Sequence, residues 1–173
     1  MKRVAILGPA GSGKSRLARE LAEILDLPVV HLDGLFWRPG WVPMADPEWE
    51  AVQLREAGRE TWIADGLQED RRTPVLWLDA ADTIVFIDAS PLACVWRIAK
   101  RRLESTSGPE VPTAKPAPYY RALPKVLAFT WQYRTRARAG LLAELSRRGQ
   151  LQHVVVLRSD DDRRRFLEDA KAQ

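Results

Sequence analysis

Short apolar runs alternating with helical stretches place this 173-residue chain in the α/β class, as a parallel sheet covered by helices on both faces. Three observations carry that expectation. Residues 4–7, 28–32, 61–64, 83–87 and 153–157 are apolar and of strand length. The stretches between most of them carry helical spacing and helix-boundary residues. The first run leads directly into Gly8-Pro9-Ala10-Gly11-Ser12-Gly13-Lys14-Ser15. That stretch fits the phosphate-binding loop pattern of a glycine, four free positions and Gly-Lys-Ser, between a strand and a helix.

The elements follow in chain order. A helix is expected over 14–26, stopped by Pro28. The second strand ends at Asp33-Gly34, and residues 35–45, with Phe36, Trp37, Pro39, Gly40, Trp41 and Pro43, read as a heavy loop. Asp46 reads as an N-cap with Pro47 in the first helical position of a helix reaching about residue 60. The third strand ends on a second acid-glycine pair, Asp65-Gly66, and Thr73-Pro74 opens a short helix. The fourth ends at Asp88, after which Ser90-Pro91 starts a helix to about residue 105. Four prolines within 108–118 exclude helix or central strand there, so a flap of about 105–122 is expected. Residues 119–147 return to helical composition, with Pro124 starting or kinking the helix. Ser159 caps a last helix over 160–171, whose Asp160-Asp161-Asp162 suits the helix dipole and calls for no catalytic work. The whole chain, 1–173, is expected to form one domain with the flap inserted.

Bulk properties exclude several classes. A net charge of +4 and a pI near 9.5 suit a protein that handles phosphates, and also suit weak nucleic-acid affinity. One cysteine, Cys94, rules out an internal disulfide framework and any multi-cysteine metal site; it reads as a buried small hydrophobe. No apolar run approaches membrane-spanning length and no signal-peptide pattern opens the chain, which points to a soluble, cytoplasmic protein.

The chemistry centres on residues 8–15. Backbone N–H groups that curl around phosphate oxygens need small side chains and glycine conformations. Lys14 brings a point charge to the outer phosphates, Ser15 a hydroxyl to a magnesium ion, and the helix opening there its positive end. Ligands of such folds collect at the carboxyl ends of the strands, where Asp33, Asp65 and Asp88 also lie. One Asp-Gly pair is usually a turn. Two at strand ends beside a phosphate loop point to carboxylates facing the phosphates and magnesium. Asp88 serves a turn equally well. Arg97 and Arg101 share a helical face before the flap, and Arg134 and Arg138 repeat the spacing after it. Forked guanidiniums at those four positions suit a phosphoryl group with charge spread over its equatorial oxygens. Arg71 and Arg72 are weaker candidates for holding an acceptor, and Trp37 and Trp41 are candidates for lining its pocket. His31 and His153 read as strand-edge or core histidines.

With these residues located, the chain resembles the adenylate-kinase-like branch of phosphate-loop (P-loop) kinases. Within it, the chain is most similar to the DNA topology modulation protein (FlaR-related) group. Beyond residues 8–15, the resemblance rests on His31-Leu32-Asp33, Phe36-Trp37, Pro39-Gly40-Trp41, Trp62-Ile63-Ala64-Asp65-Gly66, residues 82–88, Trp96-Arg97 through Arg101-Arg102, and residues 155–159. It implies a three-layer P-loop NTPase fold, with a five-stranded parallel sheet in the order 2-3-1-4-5 and a lid. It also implies Asp65 assisting magnesium, Arg97 and Arg101 on the donor phosphates, and Arg134 or Arg138 on the transferred group. Two departures are Leu67-Gln68, where relatives tend to have Asn-Tyr, and the stretch 108–118, whose one cation is Lys115.

The expected activity is transfer of the γ-phosphoryl of ATP, with Mg2+, to a nucleotide or other small acceptor. Lys14, Asp33 and the four arginines are its catalytic candidates, residues 8–15 the nucleotide loop, Ser15 and Asp65 the metal ligands, and Asp33, Trp37 and Arg71 the acceptor contacts. The alternatives are a nucleotide-binding regulatory protein that acts on DNA, which the group's label favours, and a slow ATPase.

Overall fold

In the computed structural model, residues 1–38, 42–66, 73–104, 128, 130–131, 140, 143, 145–147 and 153–172 are described. The elements are β1 (Arg3–Leu7), α1 (Lys14–Leu25), β2 (Val29–His31), α2 (Leu32–Phe36), β3 (Trp37–Arg38), β4 (Val42–Pro43), α3 (Asp46–Ala57), β5 (Trp62–Asp65), α4 (Thr73–Ala80), β6 (Thr83–Ile87), α5 (Pro91–Glu104) and β7 (Val154–Leu157). The last described helix, Asp160–Lys171, is termed α6. The expected flap over 105–122 lies outside the described residues. So does most of 119–147, whose described members are helical.

Five strands form one sheet in the order β2-β5-β1-β6-β7, and every pairing in it is parallel. The expected 2-3-1-4-5 differs in numbering because β3 and β4, a separate antiparallel pair, intervene in the chain. Alternation along the strands divides the core between the two faces of the sheet. Ala5, Leu7, Trp62, Ala64, Ile84 and Phe86 meet Phe36, Trp49 and Trp77 on one face. Val4, Ile6, Ile63, Val85 and Ile87 meet Leu17, Leu21 and Phe166 on the other. Burial on both faces is why these strands read as unbroken apolar runs.

Two local expectations need correction. Residues 32–36 form a helix where the end of the second strand at Asp33-Gly34 and the start of a 35–45 loop are expected. Leu32 and Phe36, four apart, are both buried, and an apolar i,i+4 pair is a helical signal. Phe36 packs edge-on against Trp49, with ring centroids 5.3 Å apart. In α3 the N-cap is Ala45, so Asp46 opens the helix and Pro47 takes its second position. Its missing N–H costs nothing there, since the first four amides of a helix have no intrahelical partner. The expected Ser159 cap is present as a full capping box with Asp162. No described helix is long and apolar enough to cross a membrane.

Candidate functional site

The loop between β1 and α1 is wedged against β6 and α5. A Cβ built on Gly11 would lie 2.5 Å from the Cys94 carbonyl oxygen on α5. With a φ of +77°, only glycine fits there. Gly13 differs: its φ is +96°, and nothing stands within 4 Å of where its Cβ would be. That side of the loop is an open cradle. Lys14 Nζ donates to the carbonyls of Gly8 (2.8 Å) and Pro9 (3.0 Å), which pins the ammonium across the first half of the loop.

Two further features bear on what the loop could hold. Gly13 is the N-cap of α1, with no side-chain cap and no acid in the first turn, so no side chain of that turn offsets the positive end of this twelve-residue helix. α6 instead carries its own capping box and three acids. The Ser12 hydroxyl is buried with no hydrogen-bond partner among the described residues, and a buried polar atom left this way is costly. A phosphate chain along the loop fits all of these features.

Asp65 at the end of β5 and Asp33 in the first turn of α2 lie on the strands' carboxyl side, as the loop after β1 does. β2 and β5 run in register, so His31 and Asp65, the last residue of each, are paired neighbours. Asp65 is buried, and the His31 ring donates from Nδ1 to its Oδ1 at 2.6 Å. The carboxylate can only accept, so the facing nitrogen carries the proton. Asp33, exposed in the first turn of α2, packs on Gly66: a Cβ there would lie 2.9 Å from both the Asp33 backbone nitrogen and its carboxyl carbon. The two acid-glycine pairs therefore meet. We expect Gly66→Ala, at a φ of +77°, to cost about 1–2 kcal/mol in backbone strain. It should lower the melting temperature by roughly 2–8 °C and push the Asp33 carboxylate aside; a thermal melt and the crystal structure of the variant check both.

Ser15 and Asp65 are hard oxygen donors of the kind magnesium takes. Among the described residues no group of three or more His, Cys, Asp or Glu is arranged as a metal cage. Cys94 is buried as expected. Burial pushes its thiol upward, against the opposing charges of Arg97 and Lys14. The close approach of Gly11 to the Cys94 carbonyl puts α5 beside the loop, with exposed Arg97 one helical turn beyond Cys94. Arg101 lies on α5, but its side chain is outside the described residues, as are Arg71, Arg72, Arg134, Arg138 and Trp41. Trp37 is half-buried, edge-on to Phe36 with centroids 5.0 Å apart. Asp88 is buried at the end of β6, and Arg158 is 4.0 Å from it. His31 is the residue that the sequence reading set aside and the fold brings into the site. Its signal was positional, as the last residue of a strand beside one that ends on an acid.

Fold and loop together define a P-loop NTPase-type α/β protein. No family model matches the chain, and no curated protein does. Solved structures do. A shikimate kinase from Bacteroides thetaiotaomicron superposes with a TM-score of 0.52 at 16% identity, covering 99% of this chain and 94% of that one. A gluconokinase from Sinorhizobium meliloti 1021 gives 0.42 at 21% identity, covering 83% and 97%. A sugar kinase from Janibacter sp. HTCC2649 gives 0.40 at 21% identity, covering 76% and 94%. At these identities the likeness to the shikimate kinase establishes the fold.

Proposed function

We propose that this chain is a phosphotransferase that moves the γ-phosphoryl of ATP to a small hydroxyl- or phosphate-bearing acceptor, with magnesium. The observation that carries the reading is the open cradle at Gly13, with the uncapped α1 terminus and the unpartnered Ser12 hydroxyl, next to strands that end in Asp65 and the Asp33–Gly66 contact. The shared fold with a shikimate kinase supports it.

In this reading the amides of residues 8–15 and Lys14 hold the triphosphate, and Arg97 and Arg101 reach it from α5. Ser15 is the direct magnesium ligand and Asp65 acts through water. The ion neutralises charge that develops on the transferred group. Asp33 faces the acceptor and accepts its hydroxyl proton or orients it; Trp37 and Arg71 flank the acceptor. Arg134 and Arg138 stabilise the group in transit. The chain acts as one domain in this reading.

The test measures ATP consumption alone and with panels of nucleoside monophosphates, nucleosides and hydroxylated metabolites. DNA binding at two salt concentrations runs alongside. Acceptor-stimulated turnover is the expected result. Turnover that no acceptor raises, together with salt-sensitive DNA affinity, would replace the phosphotransferase with a DNA-directed regulator.

A further inference from the structure

We propose that His31 is the positioning residue of this site: its Nδ1–H fixes the Asp65 carboxylate in the orientation that serves the magnesium accompanying ATP. The inference rests on the phosphotransferase reading above and assigns a role to a side chain that reading does not use.

The contact has the properties of an orienting pair. The Asp65 side chain is 3% exposed, whereas the ring is 47% exposed, so a half-exposed imidazole holds a carboxylate the protein has buried. A buried carboxylate needs donors, and at 2.6 Å this one is short. The bond uses Oδ1 alone, so Oδ2 is the oxygen the ring does not engage. A planar ring at the end of one strand, paired in register with the last residue of the next, leaves the carboxylate little rotational freedom. A lysine there would hold the charge without fixing the plane, and would compete with a cation for it. The arrangement inverts the usual order of carboxylate behind histidine. Here the histidine stands behind, and the carboxylate faces the ion.

Three substitutions separate orientation from bulk. The amide nitrogen of His31→Asn sits where Nδ1 does and can donate to Oδ1. His31→Gln reaches past that point, and His31→Leu keeps volume without a donor. The readout is Mn2+ affinity of the protein–ATP complex, from the free-ion electron paramagnetic resonance signal. ATP affinity in EDTA and the melting temperature are measured beside it. We expect H31L and H31Q to weaken Mn2+ binding by about tenfold while ATP affinity in EDTA is unchanged, and H31N to stay close to wild type. Mn2+ affinity in H31L and H31Q equal to wild type overturns the inference, as does an H31N loss equal to theirs. Wild-type protein that binds no ATP in EDTA removes the phosphotransferase reading itself, a failure distinct from the other two.

Discussion

Lys14→Ala lowers ATP turnover by about a hundred- to a thousandfold and leaves the fold standing. Both halves follow from where the ammonium sits. Its hydrogen bonds go to the carbonyls of Gly8 and Pro9 in a part-buried loop, which water can reach when the side chain is removed. The stability lost is then no more than about 1–3 kcal/mol. Turnover responds differently. In the proposed reaction, charge migrates toward the oxygen bridging donor and transferred phosphates, and a fixed point charge at the loop mouth stabilises that state more than it stabilises bound ATP. The rate should therefore fall more steeply than ATP affinity. Lys14→Arg keeps the charge but carries a planar fork where a compact ammonium bridges two carbonyls, so its turnover should also drop. Steady-state kinetics beside calorimetric ATP titration separate the effects. Unchanged turnover and affinity in Lys14→Ala would end the case for a nucleotide site at this loop.

What could be read from the sequence was whatever is encoded locally. The spelling of residues 8–15 demands the turn it makes, because glycines sit where φ is positive and Lys14 opens the helix. The Ser159 cap was legible three residues from its partner Asp162. Misreadings arose where a local signal met a tertiary one. Asp33-Gly34 spells a turn, yet burying Leu32 and Phe36 against Trp49 on α3 stabilises a helical turn through the same residues. Asp65 is legible because it ends an apolar strand, whereas Asp33, expected at a strand end, lies in the first turn of α2. The histidine was passed over because its partner is 34 residues away and is defined only by the β2–β5 register, which an isolated strand does not encode. Asp33 and Gly66 likewise become neighbours only once β2 lies beside β5.

Gly11→Ala and Gly13→Ala are expected to fail in opposite ways. Both glycines lie at positive φ, +77° and +96°, so each alanine carries about 1–2 kcal/mol of backbone strain. They part company in what the new methyl meets. At Gly11 it would stand 2.5 Å from the Cys94 carbonyl and 3.0 Å from an Ile98 side-chain carbon. The nearer of these is helix backbone, which gives only if α5 moves off the loop. Overpacking of that kind adds about 1–3 kcal/mol, for a total of roughly 2–5 kcal/mol and a melting temperature lower by roughly 5–15 °C. At Gly13 the methyl meets nothing within 4 Å among the described residues, so the melt should shift by only a few degrees. That open space is where the proposed phosphate chain lies, however. Displacing one amide–phosphate hydrogen bond, at about 1.5–3 kcal/mol for a charged partner, weakens ATP binding by roughly ten- to a hundredfold. Thermal melts and ATP titrations on the two proteins thus give a crossed pattern, with Gly11→Ala the poorer fold and Gly13→Ala the poorer binder for its stability. A Gly13→Ala protein that melts as low as Gly11→Ala would contradict the wedge of α5 against the loop. One that binds ATP like wild type would mean the open side of the loop is not where the triphosphate rests.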